Sequence, residues 1–195
     1  MTTLTAGIPG YVAGTWDFDP GHSRVGFTAR HLGVRKVRGH FDKFTAQIVT
    51  ADDPLQSSAT ATIDLSSVNT GDQTRDNDLR SGNFLDVDDY PTMTYRSTGI
   101  RRHGADFIVD GELTVRGVSH PASLKFDFNG FRPDPQGGTR VAFSASGEIH
   151  RIDFGVCFDI PILGLASDKI HIQVDGEAVL REEEQRADGL QHPGA

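Results

Sequence analysis

Apolar and polar side chains alternate along most of this chain. The longest clean example runs from Phe107 to Phe128. Phe107, Val109, Gly111, Leu113 and Val115 alternate with Asp110, Glu112 and Thr114, and Leu124, Phe126 and Phe128 alternate with Ser123, Lys125 and Asp127. A period of two gives a pleated strand one apolar and one wet face. Gly117, Ser119 and Pro121 lie between the halves as turn residues, so the stretch predicts an antiparallel hairpin with one buried face.

The same rhythm recurs in Trp16 and Phe18, in Val25, Phe27 and Ala29, and in Val37, Gly39 and Phe41. Asp42-Lys43 then shifts the parity to Phe44, Ala46 and Ile48, which predicts a bulge within one strand. Further strands follow at Ala59–Leu65, Thr92–Ser97, Val141–Ile149 and Ile170–Val174, with a turn in RRHGAD after Ile100 and a loop over Gly130–Gly138. The stretch 75–91 breaks the rhythm and predicts a short helix near residues 75–81, ending by Gly82. Residues 156–166 (VCFDIPILGLA) are almost continuously apolar, and Pro161 argues against a central strand there.

The sum is an all-β fold, a single antiparallel barrel of roughly eight strands, because a sheet that long closes to remove its edges. Residues 15–180 form this domain, 1–14 a flexible lead-in and 181–195 a charged tail expected to be disordered. Such a barrel is either filled by its own side chains or holds one small ligand. Ala29, Gly39, Ala59, Ala61, Gly111, Ala145 and Gly147 share the inner parity. They leave volume that would cost about 20 cal/mol per Å³ if empty. Alternatively they interdigitate with Phe27, Phe41, Phe126, Phe128 and Phe143. Periodicity leaves both readings open.

Charge narrows the partners. The chain of 195 residues carries a net charge of −8, which argues against a nucleic-acid partner. Arg35, Lys36 and Arg38 form a small basic cluster, read as an exposed strand or turn; a weak contact with an anionic membrane would suit a lipid carrier. Cys157 is the one cysteine and, flanked by Val156 and Phe158, reads as a buried, inert thiol. No signal peptide or membrane-spanning run is evident, so a soluble, cytoplasmic protein is expected. A homodimer is expected through an exposed strand edge or the 156–166 segment.

Candidate chemistry is sparse. His22, His31, His40 and His120 do not follow a metal-binding spacing, so no metal and no cofactor are expected. His22 and Ser23 are placed to fix the entry of the first strand by hydrogen bonds. Arg75, Asp76 and Arg80 offer a fork for a carboxylate or phosphate, or else form structural ion pairs with Arg116, Arg151 or Asp153. No nucleophile elbow, phosphate-cradling loop or dinucleotide fingerprint is present.

Several ordered motifs carry a resemblance: WDFDPGHSRVGFTARH (16–31), VRGHF (37–41), TRDNDLRSGNF (74–84), YPTMTYRST (90–98), GELTVRGVSHP (111–121) and HRIDFGV (150–156). The chain resembles the YceI-like family, described as polyisoprenoid-binding. The resemblance implies an elongated lipocalin-like barrel with an isoprenoid chain in its lumen. The short helix then covers part of the barrel and Phe84 faces the chain. The lumen would be lined by Val25, Phe27, Phe41, Ile63, Phe84, Leu113, Leu124, Phe126, Phe128 and Phe143. His22, His31, Arg75, Asp78 and Arg116 would stand near the mouth or head group. Asp78 departs from the histidine often found there, and the missing export signal departs from many members. The expected function is non-enzymatic binding, storage or transport of a long isoprenoid lipid. The alternatives are an enzyme for a small hydrophobic molecule or a filled barrel acting through its outer surface.

Overall fold

Arg116 and Gly117 take φ angles of 51° and 70°. Two left-handed residues in a row make a type I′ turn, whose twist matches that of the strands it joins. Val115 therefore pairs directly with Val118, and the register continues through Glu112–Pro121 to Phe107–Phe126. Ser119 and Pro121, expected in the turn, are strand residues. Pairing with the next strand stops at Leu124, so Pro121 lies where a residue without an N–H is tolerated.

The computed structural model describes residues 8–31, 35–104, 106–156 and 166–181. Its strands are β1 (Gly14–Phe18), β2 (Arg24–His31), β3 (Arg35–Phe41), β4 (Phe44–Thr50), β5 (Ser58–Asp64), β6 (Val68–Asn69), β7 (Thr92–His103), β8 (Asp106–Val115), β9 (Val118–Pro133), β10 (Thr139–His150) and β11 (Ala166–Leu180). Helix α1 (Gln73–Arg80) stands between β6 and β7. Cys157, most of the apolar 156–166 segment, and the terminal residues 1–7 and 182–195 lie outside the described residues.

Among the described residues every strand pairing is antiparallel. β1 and β2 both pair with β11 and form one stave. β3 and β4 form the next, facing β2 and β1 in turn. With β5, β7, β8, β9, β10 and β11 these make a closed eight-stranded barrel. A 3-10 turn at Pro20–His22 interrupts the first stave, with Asp19 capping it. The second stave breaks opposite, at Asp42–Lys43, which accounts for the parity slip in the sequence.

Two strands run further than their sequences suggested. β7 carries through Arg101–His103, which pair with β8, and Gly104 at φ 65° makes the reversal. β9 carries through Gly130–Pro133, and the loop shrinks to residues 134–138. The register shifts so that Phe128 faces Phe143 and Gly130 faces Ala142. The extra residue, Asn129, lets Phe131 join Phe128 in an aromatic cluster (ring centroids 5.4 Å apart).

The ends of the barrel differ. At one end Tyr11, Trp16, Phe128 and Phe131 pack edge to face, and fully buried Trp16 donates from Nε1 to Thr50 Oγ1 at 2.8 Å. At the other end lie the β2–β3 hairpin, α1, the β8–β9 turn and the connection out of β10. Asp72 caps α1, accepting from the N–H groups of Thr74 and Arg75. Leu79 packs toward Phe41, Phe44, Ile63, Leu65 and Val68, and Arg80 donates to the carbonyls of Ser66 and Val68.

Candidate functional site

Two kinds of small residue face the lumen, and they behave differently. The glycines are covered by neighbouring side chains. A Cβ on Gly39 would lie 2.4 Å from Phe27 Cζ, one on Gly111 2.4 Å from the Tyr95 ring, and one on Gly147 2.7 Å from Leu124 Cδ2. The alanines Ala29, Ala59, Ala61 and Ala145 instead leave open space. The interdigitation expected of a filled barrel is therefore real at the glycines, and the interior is hollow elsewhere.

The resulting cavity has a volume of about 580 Å³, within the range typical of small-molecule sites. Its wall reaches from Thr50, Pro54 and Ser57 at the aromatic end to Arg35, Arg75 and Ile170 at the other. It is thus elongated along the barrel. All ten apolar side chains named from the sequence stand on this wall: Val25, Phe27 and Phe41 on the first two staves, Ile63 on β5, Phe84 above, and Leu113, Leu124, Phe126, Phe128 and Phe143 across β8–β10. Phe126 and Phe143 stack with ring planes 8° apart. Sequence reading did not nominate Tyr95, nor Ile170, Ile172 and Val174 of β11, although their parity marks them as inward.

The lumen is chemically quiet. Tyr95 is a titratable group within it, and burial pushes its phenol up to about 12. Its hydroxyl lies 3.1 Å from the Val109 carbonyl and 3.3 Å from that of Ala122, which keeps it protonated and turned from the open space. Among the described residues no buried side-chain nitrogen or oxygen lacks a hydrogen-bond partner, and no group of three His, Cys, Asp or Glu side chains is placed to hold a metal ion. No helix there is long and apolar enough to cross a membrane.

The model of the YceI-like domain matches residues 16–178. The chain belongs to the YceI-like family. It is 35% identical over 159 residues to protein YceI of Escherichia coli O17:K52:H18, covering 81% of this chain and 82% of that one. Among solved structures it resembles Burkholderia cenocepacia BcnA, with a TM-score of 0.74 at 24% identity over 83% of this chain and 99% of that one. It also resembles a polyisoprenoid binding domain from Saccharophagus degradans implicated in plant cell wall breakdown, with a TM-score of 0.64 at 18% identity over 87% and 100% of the two chains.

In this YceI-like barrel the candidate mouth residues divide. Arg75 and Asp78 line the opening beside Arg35. Arg75 donates from Nε and Nη2 to the hydroxyl and carbonyl of Thr70, at 2.8 and 3.1 Å, and stands 3.8 Å from Asp72. Asp76 is buried and accepts from the Thr70 amide and hydroxyl, so it and Arg80 brace the loop before α1. Their partners are Thr70, Ser66 and Val68 rather than Arg116, Arg151 or Asp153. Arg116 lies off the cavity wall, donating from Nη1 to the Phe84 carbonyl at 2.9 Å with Asp86 3.7 Å away. His22 is exposed on the outer wall, 2.8 Å from Asp19. Ser23 does fix strand entry, bonded to the backbone of Glu177. His31 ends β2 opposite Arg35; its side chain lies outside the described part.

Proposed function

We propose that this YceI-like chain binds a long amphipathic isoprenoid lipid, holds the tail in its lumen without altering it chemically, and stores or carries it between membranes. The observation that carries this reading is the elongated apolar cavity, kept open by Ala29, Ala59, Ala61 and Ala145. The neighbouring fold described as a polyisoprenoid binding domain supports the same class of ligand. A flexible hydrocarbon needs no polar precision along its length. Each buried CH₂ contributes about 0.8 kcal/mol, so ten carbons offset roughly 8 kcal/mol of association cost.

An enzyme acting in this lumen would need a polar group poised to exchange a proton near neutral pH. Tyr95 is shifted away from that range, so the reading is binding rather than catalysis. Native mass spectrometry of the purified protein, with analysis of an organic extract, tests it. The expected result is a bound lipid and a thermal shift with isoprenoid quinones or alcohols. An empty barrel that gives no shift with either would sink it. The same spectrum reports whether two copies of the chain pair.

A further inference from the structure

We propose that the α1 end of the barrel docks on an anionic phospholipid bilayer through the outer face of the β2–β3 hairpin. Arg30 pairs across the hairpin with Lys36, and Thr28 with Arg38, so these side chains share the outward face. Arg30 and Arg35 also border the cavity. Among the described residues the side chains of Arg30, Arg35, Lys36 and Arg38 have no hydrogen-bond or ion-pair partner. Several other cations are matched by carboxylates: Arg140 with Asp19, Asp134 and Glu177, Arg101 with Asp110, Arg181 with Asp17, Lys125 with Asp106. On the adjoining β11, Lys169 is held by Glu148 of β10 at 2.6 Å, and His171 stands 3.4 Å from the same carboxylate. A chain of net charge −8 thus keeps an unmatched basic face at one end of its barrel.

An apolar residue stands on the same rim. Ile152 is 52% exposed in the turn after β10, and its N–H is fixed by Asp168 Oδ1 at 3.0 Å. Lys169, next to Asp168, pairs with His150 just before that turn. An unpaired basic face and an exposed aliphatic side chain at the same end of the barrel suit an anionic lipid interface. RNA readers instead interleave their cations with stacking aromatics, and the outward residues of this hairpin include none. The inference rests on the lipid-carrier reading: docking this rim would let a tail pass between bilayer and lumen without crossing water.

Flotation of the full chain with vesicles tests it. Vesicles of phosphatidylcholine and phosphatidylglycerol should carry the protein at low salt, and vesicles of phosphatidylcholine alone should not. Each interfacial cation contributes roughly a fivefold gain in partitioning, so Lys36→Glu/Arg38→Glu, off the cavity wall, should lower it by at least about 25-fold with an unchanged thermal transition. Equal flotation on both vesicle types, no flotation on either, or an unaffected variant overturns the proposal. So does a shift of polyuridylate that the variant abolishes while vesicles stay unbound. Lipid extracted from the same preparations separates the two readings. An empty barrel that floats keeps the docking and removes the carrier; a loaded barrel that ignores vesicles does the reverse.

Discussion

Arg116 Nη1 lies 2.9 Å from the carbonyl oxygen of Phe84. Phe84 is buried on the cavity wall in the segment between α1 and β7. The guanidinium also stands 3.4 Å from the Gly155 carbonyl and 3.7 Å from Asp86. One side chain from the tightest turn of the barrel therefore ties down two segments that cover its end.

Replacing Arg116 with Gln should loosen this cover. A hydrogen bond from a charged donor contributes about 1.5–3 kcal/mol, and partial exposure reduces that to about 1–2. The loss should appear as local opening rather than global unfolding. Faster hydrogen exchange at residues 84–87 and faster release of a fluorescent isoprenoid are expected. Unchanged values of both would show that the contact does not hold the cover.

Two small lumen residues should respond oppositely to enlargement. Ala61 borders open space, so Ala61→Phe should fill part of the cavity, abolish lipid retention and leave the empty protein within about 1 kcal/mol of the parent. Gly111 lies under the Tyr95 ring, so Gly111→Val should displace that ring and destabilise by about 1–3 kcal/mol. Thermal unfolding with extraction of bound lipid checks both. A stable Gly111→Val protein, or an Ala61→Phe protein that still carries lipid, would contradict the packing described here.

This contrast marks what the sequence could reveal. Parity in β2, β3, β5, β8, β9 and β10 marks nine of the ten named wall residues because one buried face forces a period of two; Phe84 lies in no strand and came from the family resemblance. Parity cannot say whether a small residue meets a neighbour or a void; Gly111 and Ala61 share the inner face and differ only in whether a long side chain from the next strand reaches over. Pro121 and Gly130 were read as turn residues from local chemistry, whereas register and a bulge kept both in β9. Asp76 and Arg80 carry the same charges whether they bind a ligand or Thr70, Ser66 and Val68, and only the fold of the loop before α1 decides.

Acid should unlatch the aromatic end. Arg140 lies 2.7 Å from Asp19, 2.7 Å from Asp134 and 2.9 Å from Glu177. Its hydrogen bond, with that of His22, holds the Asp19 carboxyl down from 3.8 to about 2. Glu177 is raised by burial but lowered more by Arg140 and Arg132, and Asp134 is lowered by the Gln136 amide and by Arg140. Folded values below unfolded ones mean the stabilisation is present above the unfolded pKa and lost as pH falls through the folded one. For Asp19 that window runs from 3.8 to about 2. Arg140→Met should lower the thermal midpoint at neutral pH and flatten the decline over this window. An unchanged acid profile would mean that the network does not couple to folding.

The last prediction concerns selection at the mouth. Asp78 is exposed on α1 and lines the opening with Arg75 and Arg35. Its carboxylate has no side-chain partner among the described residues, so nothing local cancels its charge. An anionic head group lodged there would feel the arginines and this carboxylate together. At about 4 Å in water two unit charges interact by about 1 kcal/mol, and salt weakens it. Asp78→Asn should therefore tighten binding of a polyprenyl phosphate about fivefold at low salt, leaving a polyprenol of equal length unaffected. Displacement of a fluorescent probe by each lipid, at low and high ionic strength, measures the difference. Equal changes for both lipids would place the head group away from Asp78.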